Sequence, residues 1–222
     1  MILCIGDVLT ADELGAIEAT LASGVFLDGQ ATAGWSARAV KHNLQLDKAH
    51  AAYRAIAPKV LDALAHNETF AAAALPRQMS PLLVSRSETG MGYGVHVDNA
   101  VMGQPPVRTD LAFTLFLSND AGYDGGELVI EDAQGEHAIK LPPGHMVLYP
   151  ATTLHRVETV RSGRRDVAVG WVQSLVRDPR IREMLFDLDR ARRALFARDG
   201  KTEVFDLLSK TYSNLMRLHA ET

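Results

Sequence analysis

Between about Pro81 and Gln173 the chain breaks into short runs rich in β-branched and aromatic residues: "LLVSR", "YGVHVD", "LAFTLFLS", "GELVIED", "HAIKL", "HMVLYP" and "DVAVGWVQ". Turn-forming stretches separate them: "SNDAGYDGG", "DAQGE", "PPGH" and "RSGR". Each run is too short for a buried helix and the right length for a strand. Strands at this spacing predict an all-β sandwich or barrel.

The flanks have a different texture. "LTADELGAIEATL" opens with a capping box, Thr10 and Glu13, and carries Leu14, Ile17 and Leu21 at helical spacing. "SARAVKHNLQL" is mixed and reads as a strand. "DKAHAAYRAIAPKVLDALAH" is helical with Pro58 as a kink or restart, and "NETFAAAAL" adds a turn capped by Asn67. Past "VRDP", Asp178 and Pro179 supply an N-cap and a first helical position, and Ile181, Met184, Leu185, Leu188 and Leu195 form a stripe. A last segment places Val204, Leu207, Leu208, Thr211, Leu215 and Leu218 on one face. The expected fold class is mainly β with flanking α. The expected division is a main domain over 1–177, with its β-core at about 81–173, and a C-terminal helical extension over 178–222. The extension's stripes pack on the chain's own sheet or on a second subunit of a homo-oligomer.

Composition removes several function classes. The 222 residues carry a net charge of −4, without the basic excess that phosphate binding needs, so nucleic acid is not an expected partner. A single cysteine, Cys4, leaves no intramolecular disulfide and no cysteine-based zinc site. No apolar stretch approaches the roughly 20 residues that span a bilayer, and the N-terminus has no basic segment of a signal peptide. A cytoplasmic location with no membrane partner is expected.

The chemistry starts at "YGVHVDNAV". On a strand, His96 and Asp98 point to one face, so an imidazole and a carboxylate lie side by side. Among the further histidines of the β-region, His155 follows a strand and a turn, 57 residues past Asp98. Two histidines and a carboxylate with positions left open form the facial triad of non-haem Fe(II) oxygenases. His145 is the competing third ligand. A 2-oxo acid bound at such a metal needs a fixed cation for its distal carboxylate, which arginine's planar fork supplies. Arg165 lies ten residues after His155. A hairpin at Ser162–Gly163 is expected to fold its strand back beside that of His155. Arg161 and Arg164 are the competing cations; Arg164, next in sequence, faces the other side of a strand. Tyr149 and Trp171 are expected as core or cavity wall, and Gly125 and Gly126 as turn residues. Asn99 is a substrate or outer-shell contact or a turn cap, and "NAVMGQPPVRTD" is a lid candidate.

"YGVHVDNAV", "DLAFTLFLS", "YDGGELVIED", "PPGHMVLYPATTLHRVETVRSGRRDVAVGWVQS" and "DLDRARRAL" together resemble the 2-oxoglutarate/Fe(II) dioxygenases, and within them the bacterial PKHD-type hydroxylases, which are similar to the prolyl 4-hydroxylase catalytic domain. The resemblance runs from about residue 75 to the C-terminus and implies a double-stranded β-helix, a jelly roll. It implies iron held by His96, Asp98 and His155, and 2-oxoglutarate held by Arg165, with Tyr93 in the same pocket. It also implies O2 as co-substrate, release of succinate and CO2, hydroxylation of a small-molecule or peptide substrate, and L-ascorbate to keep the iron reduced. One departure stands out: relatives often carry tyrosine nine residues before the first histidine, where this chain has Ser87. Two other readings stay open: a metal- or 2-oxoglutarate-binding sensor in iron homeostasis on the same scaffold, and a cupin-type metalloenzyme that does not use 2-oxoglutarate.

Overall fold

The computed structural model describes residues 1–221. Its strands, in chain order, are β1 (Leu3–Ile5), β2 (Phe26–Asp28), β3 (Lys41–His42), β4 (Leu44–Leu46), β5 (Pro76–Met79), β6 (Leu83–Glu88), β7 (Gly92–His96), β8 (Val101–Met102), β9 (Val107–Arg108), β10 (Leu111–Phe116), β11 (Tyr123–Gly125), β12 (Leu128–Asp132), β13 (Gly135–Ile139), β14 (Met146–Pro150), β15 (His155–Val157) and β16 (Val160–Ser174). The helices are α1 (Ala11–Ala22), α2 (Ala51–His66), α3 (Glu68–Ala74), α4 (Pro179–Asp199) and α5 (Glu203–His219). The larger sheet has the order β1-β14-β10-β16-β6-β4-β2, with β5 and β11 also paired to β16. The smaller sheet is β13-β12-β15-β7-β3, and all the pairings are antiparallel.

The run "LAFTLF" of β10 is buried at every position because both of its faces are covered. Phe113 and Leu115 pack with Ile17, Ile56, Leu64 and Phe70 of α1–α3. Ala112 and Phe116 pack instead with Leu128 and Ile130 of the smaller sheet. The molecule is therefore layered, helices on the large sheet and the large sheet on the small one, which is the jelly-roll plan with flanking helices. The capping box at Thr10 forms, and α2 runs through Pro58 without a break. The segment "SARAVKHNLQL" is not one strand: a short 3-10 turn, Ala37–Val40, precedes β3 and β4, which belong to different sheets. The proposed lid "NAVMGQPPVRTD" forms the small hairpin β8–β9.

The C-terminal helices pack on the chain itself through Leu185, Tyr212, Leu215 and Met216 against Leu75 and Val176. The expected single stripe on α5 divides. Leu215 turns inward, whereas Val204, Leu207 and Leu218 are exposed, because the 204–207–218 and 208–215 positions fall on adjoining faces of a 3.6-residue helix. Met184 of α4 is likewise exposed rather than buried. No helix among the described residues is long and apolar enough to cross a membrane.

The expected hairpin at Ser162–Gly163 is absent. β15 pairs with β12 and β7 in the small sheet, while β16 runs unbroken from Val160 and pairs with β6, β10, β11 and β5 in the large one. The glycine serves another purpose. Gly163 has φ +79°, and a Cβ there would lie 2.2 Å from the Gly122 carbonyl oxygen as β11 passes. Gly163→Ala is therefore expected to cost about 2 kcal/mol or more, a fall in Tm of about 4–8 °C in thermal unfolding.

Candidate metal centre

The two sheets enclose a cavity of about 420 Å³, lined from the large sheet by Ser85, Ser87, Thr114, Tyr149, Arg165 and Trp171 and from the small sheet by Lys41, Tyr93, His96 and His155. His96 ends β7 and His155 begins β15, and the two are directly opposed across the antiparallel pair. That register joins residues 59 apart in sequence. Asp98 lies just past the end of β7 and not on the strand with His96 as expected, yet its carboxylate still meets the two histidines. One ligating atom from each of His96, Asp98 and His155 lies within 4.8 Å of the other two. The His155 Nε2 to Asp98 Oδ2 distance is 3.9 Å.

Both imidazoles are oriented the same way. Nδ1 of His96 donates to the Gly94 carbonyl at 2.8 Å, and Nδ1 of His155 donates to the Thr153 carbonyl at 3.1 Å. A carbonyl only accepts, so each ring carries a proton on Nδ1 and leaves Nε2 as the atom available to a metal, the arrangement typical of metal-bound histidine. Tyr93 stacks on the His96 ring with centroids 3.6 Å apart, and Tyr149 meets the His155 ring edge-on at 5.3 Å. Burial, with His155 nearby, pulls the His96 imidazole down to about 3, so it is neutral and free to ligate at ordinary pH. Burial pushes the Asp98 carboxyl up, with His155 and a nearby Trp171 indole opposing.

The polar atoms left without partners fit a metal and an anionic co-substrate. The side chain of Asp98 is only 7% exposed, yet its Oδ2 has no hydrogen-bond partner among the described residues. Arg165 is 3% exposed and its Nε is also unpartnered. A buried carboxylate and a buried guanidinium in that condition are costly unless a ligand completes them. The guanidinium rests against the Phe116 ring, 5.4 Å from its centroid. Burial lowers its pKa, Tyr123 and Tyr149 opposing.

The competitors fall away from the cavity. His145 lies beside Asp7 of the N-terminal segment, at 3.7 Å. Arg161 pairs with exposed Asp124. Arg164 faces away from Arg165, as alternation requires, and joins the buried Arg86–Asp166 pair. Arg165 reaches the cavity from the sheet opposite His155, not from a neighbouring strand as expected. Ser87 pairs in register with Arg165 and is buried in the cavity wall. Asn99 also lines the cavity, and its carbonyl accepts from Thr109 Oγ1, tying down the β8–β9 hairpin. Gly125 and Gly126 both have positive φ. Sequence reasoning missed Lys41, Gln45, Lys48 and Thr114, all of which line the cavity. Lys41 and Gln45 sit in the segment of mixed pattern, and Thr114 was concealed by the apolar run around it.

Residues 82–173 match the model of the 2OG-Fe(II) oxygenase superfamily, and 180–221 match that of the PKHD-type hydroxylase C-terminal domain. A PKHD-type hydroxylase of Synechococcus sp. (strain JA-2-3B'a(2-13)) is 52% identical over 223 residues, covering all of both chains. The chain belongs to the PKHD-type hydroxylases. A second relative of that description, from Acaryochloris marina, is 53% identical, again over the full length of both. A Pseudomonas putida prolyl-4-hydroxylase structure shares the fold, with a TM-score of 0.55 at 16% identity over 78% of this chain and 92% of that one. This PKHD-type hydroxylase is accordingly a 2-oxoglutarate-dependent Fe(II) dioxygenase.

Proposed function

We propose that this PKHD-type hydroxylase hydroxylates a C–H bond of its substrate, consuming O2 and 2-oxoglutarate and releasing succinate and CO2. The observation that carries the reading is the clustering of one ligating atom each from His96, Asp98 and His155 within 4.8 Å of one another, with Asp98 Oδ2 and Arg165 Nε left without hydrogen-bond partners in the same cavity. His96, Asp98 and His155 would hold Fe(II). When bound, the iron and 2-oxoglutarate supply the oxidising power for C–H hydroxylation; the protein's share is binding, orientation and exclusion of water.

Arg165 would receive the distal carboxylate of 2-oxoglutarate, having no ion pair of its own among the described residues. Ser87 stands beside it in register. Tyr93 would close the pocket by its stack on His96, holding that ring against rotation. The apolar walls Val167, Val169 and Leu128 exclude water. L-Ascorbate would sustain turnover by returning oxidised iron to the ferrous state.

The purified protein with Fe(II), ascorbate and 2-oxoglutarate in air is expected to produce succinate even without prime substrate, with matching loss of O2. A protein that binds both yet forms no succinate would be a sensor, and the enzymatic reading would be withdrawn.

A further inference from the structure

Two lysines in the cavity wall have no part in the chemistry above. Lys41 belongs to the small sheet through β3, and Gln45 to the large sheet through β4, so the chain crosses between sheets at Asn43. Asn43 anchors the crossing by donating to Ser85 Oγ at 2.6 Å. Lys41 is 6% exposed, and its Nζ donates to Thr32 Oγ1 at 2.9 Å. Thr32 Oγ1 in turn lies 2.9 Å from Gln45 Oε1. That hydroxyl is the single hydrogen-bond partner of the ammonium among the described residues, beside the face of the Tyr93 ring; no carboxylate is within ion-pairing distance, and two of its three donors are uncommitted. Lys48 also lines the cavity but is exposed to solvent, with no ion pair among the described residues.

The balance of charge is decisive. Among the described residues, Lys41, Lys48 and Arg165 are the cationic side chains of the cavity wall and Asp98 is its one carboxylate. Fe(II) and Arg165 together are neutralised by Asp98 and the two carboxylates of 2-oxoglutarate. The loaded cavity therefore keeps the buried charge of Lys41, offset at a distance by Asp28 and not by a contact, whereas exposed Lys48 is solvated, in a protein whose net charge is −4. A buried unpaired ammonium is unfavourable unless a ligand completes it.

We infer that the prime substrate is an anion, a molecule bearing a carboxylate, and that Lys41 holds that group while Lys48 adds a second positive charge along the wall. This rests on the 2-oxoglutarate reading of the same site. Tyr93 connects the two ends of the cavity: its ring stacks on His96 and lies 5.2 Å from Lys41 Nζ. An anion on Lys41 thus sits beside the ring that covers one metal ligand, within reach for its carbon chain to extend to the reacting position. A neutral peptide segment would leave the buried Lys41 ammonium unanswered.

The test uses acetate as the probe and the loaded protein, without oxygen. Fe(II) and 2-oxoglutarate are added first; formation of their visible charge-transfer band establishes the co-substrate reading independently of the substrate inference. A parallel sample carries Mn(II) with 2-oxoglutarate, and the NMR relaxation of acetate and of neutral acetamide is measured. The expected result is strong, saturable enhancement for acetate and little for acetamide. The acetate effect should fall at least tenfold in Lys41→Met and be kept in Lys41→Arg. If Lys41→Met fails to load, the acetate–acetamide contrast in the wild type and in Lys41→Arg decides. Equal enhancement for both probes, no enhancement for acetate, or an unchanged effect in a loaded Lys41→Met overturns the inference, whatever the band shows.

Discussion

Asp98→Ala abolishes iron-dependent 2-oxoglutarate turnover and weakens Fe(II) binding by at least about 100-fold, beyond the loss typical of outer-shell changes. The reason is both electrostatic and geometric. Asp98 is the single carboxylate among the three clustered residues, and two imidazoles alone hold a divalent ion poorly. The fold does not depend on the carboxylate. Asp98 lies beyond the end of β7, and burial opposes its charge in the metal-free protein. The metal-free variant should therefore be at least as stable as the wild type in thermal unfolding, while isothermal titration shows the lost metal site. Retained succinate formation in Asp98→Ala would remove this residue from the centre.

Arg165→Met is the second large effect. It leaves the three converging residues untouched and removes the cation proposed for the distal carboxylate. Truncating one partner of a buried, hydrogen-bonded charge pair costs about 2–5 kcal/mol, or about 30- to 5,000-fold in affinity. The KM for 2-oxoglutarate should rise by that order, with Fe(II) affinity changed less than a few-fold. Arg165→Lys should recover only part of the loss, because a point charge on a flexible stem does not reproduce the planar fork. Steady-state succinate assays over a range of 2-oxoglutarate concentrations separate these outcomes. An Arg165→Met enzyme with unchanged KM would transfer the anchoring role to another group.

Much of this was legible in the sequence because the relevant periods are short. The i, i+2 spacing keeps His96 and Asp98 together even though the strand ends at His96, and alternation along β16 sends Arg164 outward and Arg165 inward. The capping box at Thr10 and the Asp178–Pro179 helix start are equally local. What the sequence concealed is long-range. The register that sets His155 opposite His96 depends on pairing between strands about sixty residues apart. The route of Arg165 was misjudged because Ser162–Gly163 has the composition of a turn, although Gly163 lies within β16 and makes room for the Gly122 carbonyl. Lys41 and Gln45 were unreadable because their segment changes sheets, so neither the period of a strand nor that of a helix persists through it. The exposed stripe of α5 shows the same limit: apolar residues at nearly helical spacing fell on two adjoining faces, and only packing distinguishes them.

The most direct test of the central claim is an anaerobic titration of the metal-free protein with Fe(II) and then with 2-oxoglutarate, followed by visible absorption. The account predicts a weak charge-transfer band that requires both additions, saturates at one equivalent of each, disappears in His155→Ala, and needs far more 2-oxoglutarate in Arg165→Met. Iron binding at His96, Asp98 and His155 with no band on addition of 2-oxoglutarate would contradict it.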